Sequence, residues 1–250
     1  MKRTYRYSAH IESDRVDFNF NLTVPSMLGY FQTLATNHSI DLGCDYFTMK
    51  NKHNAFWVVT RVKLQIDKFP RFNDKISLAT WYEKPSLVRC PRVYEIKDES
   101  GNTCVKALSE WCALDAETFK PKKINEVFDC SLFRKNSCDI LFEKNTYDID
   151  DSYFEFDRVI RLTDIDMNIH TNNIIYSRMV MDTFSVDYMK SHILRDFEID
   201  YVNQSMEGDT IKVYQKEVSK GYFFVIGIMQ DKCIFKSYLT FEDNKEGELC

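Results

Sequence analysis

Glycine is scarce in this sequence: 7 residues in 250, against 19 Phe and 14 Tyr. That balance points to a strand-rich chain with an aromatic core. Nor is there an apolar run near the ~20 residues needed to span a bilayer, so no membrane span is expected. Met1-Lys2-Arg3-Thr4-Tyr5 leads straight into polar sequence without an apolar h-region, so no secretory signal is expected. The eight cysteines form no C-x-x-C pair, which argues against a zinc site. Free thiols in a reducing cytoplasm are the simplest account, and no metal or cofactor is expected. There is no basic excess either. A net charge of −5 argues against nucleic-acid binding, though a local basic patch could still face an acidic partner.

What is present is ordinary globular composition, 44% hydrophobic and 28% charged. The length allows one large domain or two of about 125 residues. Alternation of Tyr5, Tyr7, Ala9 and Ile11 with polar residues predicts a strand over 4–16. Val24, Met27, Leu28, Phe31, Leu34, Ala35, His38 and Leu42 then form a helical stripe. Thr23 suits its N-cap, Pro25 its first turn and Gly43 its stop. His38 lies on this stripe and reads as a core histidine. Strands are predicted over 55–67, 75–84, 87–98 and 103–115. Residues 116–152 break the pattern. From 153 the order begins again: a strand, a helix over about 173–191, and strands near 195–204, 209–218, 221–230 and 233–242. The predicted organisation is an N-terminal unit over 1–122, a linker over 123–152 and a C-terminal unit over 153–250.

The two halves repeat. Asp17-x-Asn19-x-Asn21 corresponds to Asp166-x-Asn168-x-His170, 149 residues on (166 minus 17). Asp74-x-Ile76 corresponds to Asp209-x-Ile211, 135 on (209 minus 74). One copy has asparagine where the other has histidine, so chemistry that titrates near pH 7 is open to one copy alone. Read as an extended segment, Asp166, Asn168 and His170 line one face, with Met167 and Ile169 on the other. Asn172 and Asn173 offer caps for the next helix. A carboxylate, an amide and an imidazole before a helix N-terminus suit acid/base chemistry. They also suit a polar capping loop with a structural histidine.

The detailed motifs resemble the bacterial and plant acyl-acyl-carrier-protein thioesterases, over nearly the whole chain. In the first half the resemblance is carried by Phe31-Gln32 with Ala35-x-x-His38, Trp57-Val58-x-x-Arg61, and Phe69-Pro70-Arg71-x-x-Asp74-x-Ile76. Thr80-Trp81, Ser109-x-Trp111 and Asp115 with Thr118 and Pro121 continue it. In the second half it is Asp164-x-Asp166-Met167-Asn168-x-His170-x-Asn172-Asn173-x-x-Tyr176. It implies an α+β fold of two tandem hotdog units, each an antiparallel sheet around a long helix. It further implies hydrolysis of fatty acyl-acyl-carrier protein, with acyl-chain binding in the first unit and catalysis in the second.

The family's catalytic Asp, Asn and His fall on Asp166, Asn168 and His170. Gln204 stands where the family has a glutamate, and Ser205 where some members have cysteine. Glutamine is no base, but it can orient a water. The implied mechanism is attack by a water held between His170 and Gln204, with His170 or Asp166 as base and N–H groups near Asn172 stabilising the oxyanion. Candidates for the acyl tunnel are Met27, Phe31, Leu34, Trp57 and Phe72. Candidates for docking an acidic carrier protein are Arg61, Arg71, Lys120, Lys122 and Lys123. Two hotdogs in one chain can pair internally, so a monomer or a homodimer is expected. Alternatives are an acyl-CoA thioesterase, a non-catalytic acyl-binding hotdog protein and, with less support, a hotdog dehydratase.

Overall fold

The computed structural model describes residues 3–134 and 138–244. The chain divides into two compact units, Met1–Leu141 and Phe142–Cys250. In the first, strand β1 (Tyr5–His10) leads through a 3-10 turn at Ser13–Arg15 into helix α1 (Val24–Leu42). The short helix α2 (Tyr46–His53) follows. Four strands complete the sheet: β2 (Ala55–Ile66), β3 (Lys75–Tyr82), β4 (Cys90–Lys97) and β5 (Thr103–Asp115). Their order is β1-β3-β4-β5-β2, with antiparallel neighbours.

Helix α1 forms where its stripe predicts. The Thr23 hydroxyl accepts the Ser26 N–H at 3.2 Å, and Gly43 ends the helix at φ +68°, a conformation open to a residue without Cβ. Met27, Phe31, Leu34 and His38 are buried on the face turned to the sheet. Each large apolar side chain removed from water contributes about 1.5–3 kcal/mol, which is what holds helix to sheet. Helix α2 is an addition to the expected order. Asp45 caps it, accepting from the N–H groups of Phe47 and Thr48.

The second unit repeats this plan. Strand β6 (Phe154–Val159) leads through a 3-10 turn at Leu162–Asp164 into helix α4, numbered after the short α3 (Ile124–Val127) of the first unit. Helix α4 spans Asn173–Met181 and α5 Val186–Ser191. Strands β7 (His192–Tyr201), β8 (Thr210–Ser219), β9 (Tyr222–Met229) and β10 (Lys232–Asp243) follow. Their order, β6-β8-β9-β10-β7, matches the first unit strand for strand.

Two expectations are corrected. The helix expected over 173–191 is broken at 182–185. There the Thr183 hydroxyl bonds back to Val180 O at 2.8 Å, and Ser185 caps α5. Hydroxyls that bond backbone locally compete with helix continuation. The first strand stops at His10, because 13–15 curl into the 3-10 turn. The segment over 123–152, with Tyr153 just beyond it, packs as well as connects. Ile124, Val127, Phe128 and Phe133 are buried with Leu42, Met49 and Tyr82 in the first unit. Tyr147, Ile149 and Tyr153 pack against Tyr214, Phe224 and Tyr238 in the second. Lys135, in the basic run of this segment, lies outside the described residues. Among the described residues no helix is long and apolar enough to cross a membrane.

Candidate active site

Residues 165–171 are not extended but folded into a tight loop. Ile165 and Thr171 form an antiparallel bridge, and the Asp166 N–H bonds His170 O at 2.9 Å. The Asp166 carboxylate accepts the Asn168 N–H at 2.8 Å, and the Asn168 side-chain amide lies 3.4 Å from its other oxygen. Aspartate closes turns in this way, by accepting an N–H two residues on. The alternation argument fails because Ile169 sits at φ +64°. Asp166 and His170 meet instead at the base of the loop, while Met167 and Ile169 are exposed at its tip. His170 is half-buried, and among the described residues its ring has no hydrogen-bond or ion-pair partner. Just upstream, the buried Asp164 is held by Arg158 at 3.0 Å and accepts the Arg161 N–H.

The first unit contains the same loop. Val16 bridges Leu22, the Asp17 N–H bonds Asn21 O at 2.9 Å, the Asp17 carboxylate accepts the Asn19 N–H at 2.8 Å, and Phe20 sits at φ +61°. Burial raises the Asp17 carboxyl above its ordinary range, against the hydrogen bonds from Asn21 and Asn19. The repeat read from the sequence is therefore a repeat of backbone geometry. It continues downstream, where Leu22 N–H bonds Pro70 O at 2.8 Å and Thr171 N–H bonds Ser205 O at 2.9 Å.

Gln204 lies beyond the end of β7, not within a strand as expected, and is exposed. Its loop is anchored on both sides: Val202 N–H to Ile234 O at 2.9 Å, and Met206 N–H to the Asp209 carboxylate at 2.7 Å. Between these anchors Ser205 is buried. Its Oγ lies 2.7 Å from Thr171 Oγ1 and 2.9 Å from Tyr176 Oη. The Thr171 hydroxyl donates to Ser205 O at 2.9 Å, and the Ser205 N–H donates to Tyr176 Oη at 3.2 Å. Among the described residues no base touches Ser205, so a nucleophilic role has no support. Thr171 escapes sequence reasoning, because only folding brings it to Ser205. At the start of α4, Asn172 N–H bonds Asp164 O, and Asn172 accepts from the N–H groups of Ile174 and Ile175.

The proposed tunnel residues fall into three settings. Met27, Phe31 and Leu34 are together in the core, with Phe31 stacked on Tyr94 at 4.5 Å. Trp57 is half-buried against Tyr82 and Phe128, its indole N–H on Cys44 O at 3.0 Å. Phe72 is 44% exposed beside Phe20 and does not join them. Of the docking candidates, Arg61 pairs with Glu110 at 3.0 Å, Lys122 with Asp115 at 3.1 Å and Lys123 with Glu126 at 3.6 Å. Arg71 reaches Asn19 O at 3.4 Å, and Lys120 is exposed.

An antiparallel sheet packed on a helix, repeated in one chain with the same strand order and the same Asp-closed loop, defines a tandem-hotdog protein. The sequence matches the acyl-ACP thioesterase N-terminal domain over residues 2–129 and the acyl-ACP thioesterase C-terminal domain over residues 147–248. The chain belongs to the acyl-ACP thioesterase family. It is 26% identical over 210 residues to the chloroplastic palmitoyl-acyl carrier protein thioesterase of Arabidopsis thaliana, covering 79% of this chain and 51% of that one. It is 23% identical over 225 residues to oleoyl-acyl carrier protein thioesterase 1 of the same plant, covering 83% of this chain and 62% of that one. The chain thus spans between half and two thirds of the length of these relatives. The crystal structure of an acyl-ACP thioesterase from Bacteroides thetaiotaomicron superimposes with a TM-score of 0.88 at 25% identity, covering 96% of this chain and 98% of that one. The 12:0-ACP thioesterase from Umbellularia californica shares the fold, with a TM-score of 0.85 at 17% identity over 98% of this chain and 99% of that one.

Proposed function

We propose that the protein hydrolyses the thioester of fatty acyl-acyl-carrier protein, releasing the free fatty acid and ending chain synthesis. The observation that carries this reading is the match of both halves to the acyl-ACP thioesterase domains, with Asp166, Asn168 and His170 on one loop of the second half. Localisation in a cytoplasmic compartment fits the free thiols of Cys44, Cys90, Cys104, Cys112, Cys138 and Cys233.

The Asp166 carboxylate accepts from Asn168, so its part is to hold the loop closed. His170, whose ring has no partner among the described residues, is the general base. It takes a proton from a water that Gln204 orients, and the water attacks the thioester carbonyl. The N–H groups of Asn172, Ile174 and Ile175 are engaged, so the oxyanion donor at the start of α4 is the Asn173 N–H. Met27, Phe31, Leu34 and Trp57 offer an apolar lining for the acyl chain in the first unit. The acidic carrier protein meets the exposed Lys120 more readily than the ion-paired Arg61, Lys122 and Lys123.

The test is a thiol-release assay on palmitoyl-acyl-carrier protein and palmitoyl-CoA, run beside His170→Ala. The expected result is turnover of the carrier-protein thioester that falls at least about a hundredfold in the variant. Unchanged hydrolysis in His170→Ala refutes the site. Acyl binding without thiol release identifies a binding protein instead.

A further inference from the structure

One arrangement of protons satisfies the whole buried hydroxyl cluster. Thr171 Oγ1 donates to Ser205 O, so the 2.7 Å contact between the two hydroxyls is filled by the Ser205 proton. The 2.9 Å contact from Tyr176 to Ser205 Oγ is then filled by the phenol proton, and Tyr176 Oη in turn accepts the Ser205 N–H. The result is a directed chain, Tyr176 to Ser205 to Thr171 to the Ser205 carbonyl, with no donor spare. Burial raises the Tyr176 pKa, which keeps the phenol a donor. The chain ties residue 171 to residue 205. His170 and Gln204 are their immediate neighbours.

The first unit is an internal control. The repeat places Leu22 at the position of Thr171, Met27 at that of Tyr176 and Pro70 at that of Ser205. All three are buried, and none carries a hydroxyl. Yet the same backbone bond joins the two loops there, at 2.8 Å against 2.9 Å in the second unit. Apolar packing and one backbone hydrogen bond therefore suffice to build this junction. The hydroxyl chain occurs only in the copy that carries His170, and three buried hydroxyls are worth their desolvation only when all are satisfied.

We propose that Thr171, Tyr176 and Ser205 are positioning residues, a hydroxyl clamp that holds Gln204 in register with His170 for delivery of the attacking water. The proposal rests on the thioesterase reading above. Apolar contact tolerates sliding, whereas a directed hydrogen-bond chain fixes both loops to within the tolerance of its bonds. The clamp touches no substrate, and Ser205 gives its proton to Thr171 rather than to an imidazole.

The test compares Thr171→Val with Thr171→Ser in the full chain, using palmitoyl-acyl-carrier protein as substrate. Valine keeps the volume and loses the hydroxyl; serine keeps the hydroxyl and loses the methyl. For the clamp, Thr171→Val lowers kcat about ten- to a hundredfold with KM little changed, and Thr171→Ser retains most of the turnover. A merely structural residue gives the opposite order, because the lost methyl then costs more. Ser205→Ala, combined with Gln204→Ala, supplies a second measurement. If Ser205 acts through Gln204, its effect on kcat largely vanishes once Gln204 is gone. Equal kcat in Thr171→Val and wild type, or additive effects of Ser205→Ala and Gln204→Ala, overturns the proposal. Should Thr171→Val not fold, the Ser205 cycle decides alone. His170→Ala separates the two readings. If it abolishes turnover while folded clamp variants remain fully active, only the clamp fails. If it leaves turnover intact, the thioesterase site fails.

Discussion

Gly227→Ala is the sharpest perturbation the fold offers. Gly227 in β9 stands directly opposite Phe235 in β10. A Cβ there would lie 2.2 Å from Cε1 and 2.7 Å from Cδ1 of the Phe235 ring. The ring must retreat by about 1 Å or more to reach ordinary contact. It has little room, because Phe235 is fully buried and the Tyr176 ring lies against it at 5.5 Å between centroids. Overpacking of this kind costs about 1–3 kcal/mol, offset by roughly 0.5–1 kcal/mol for replacing a strand glycine. A net loss of about 1–2 kcal/mol is expected, or a fall in Tm of roughly 2–8 °C for a chain of this size. The displaced ring pushes on Tyr176, so kcat should fall as well. The assay is a thermal or urea melt of four proteins: wild type, Gly227→Ala, Phe235→Leu and the double variant. With the smaller leucine opposite, adding alanine should be neutral or stabilising. A Gly227→Ala protein as stable as wild type, or one equally destabilised in both backgrounds, refutes the steric argument.

Two further predictions follow from single groups. Burial pushes the Cys44 thiol up to about 11 from 9.0. A raised folded pKa means stability that is full below about pH 9 and lost as pH climbs toward 11, by roughly 2–3 kcal/mol; Cys44→Ala should flatten part of that alkaline loss, and native Cys44 should resist thiol reagents at neutral pH, so rapid labelling would contradict its burial. Gln204→Glu places a carboxylate beside the water proposed for attack and should raise kcat at least about tenfold above the pKa of the new group; no gain in steady-state assays between pH 5 and 8 would remove Gln204 from the water's path.

The matches Asp17 to Asp166 and Asp74 to Asp209 were visible as letters, and both proved to be turn-closing carboxylates with the same bonds in each copy. The helical stripe of α1 and the alternating strands were equally visible, because periodicity is a local property. The curl of the loop at 166–170 is hidden in the sequence, because alternation of polar and apolar residues cannot distinguish a strand from a turn whose fourth residue takes a positive φ. The break in the helix expected over 173–191 is hidden too, because the stripe continues across 182–185 while Thr183 and Ser185 direct their hydroxyls to the backbone.

By itself, then, the sequence determined the tandem architecture, the long helix of the first unit and the identity of the Asp-Asn-His loop. The helix rests on spacing within about twenty positions, where local geometry leaves few choices; the tandem architecture and the loop rest on a motif that recurs 149 residues on and on the family resemblance. Only the tertiary structure decided how that loop curls, that Gln204 stands outside the strand, and that Phe72 is exposed rather than buried. It alone also brought Thr171 and Tyr176 to Ser205, which lies 34 and 29 residues further along the chain. Contacts at that separation are set by how strands pair and how a helix packs on them, and no local pattern records which hydroxyls will meet.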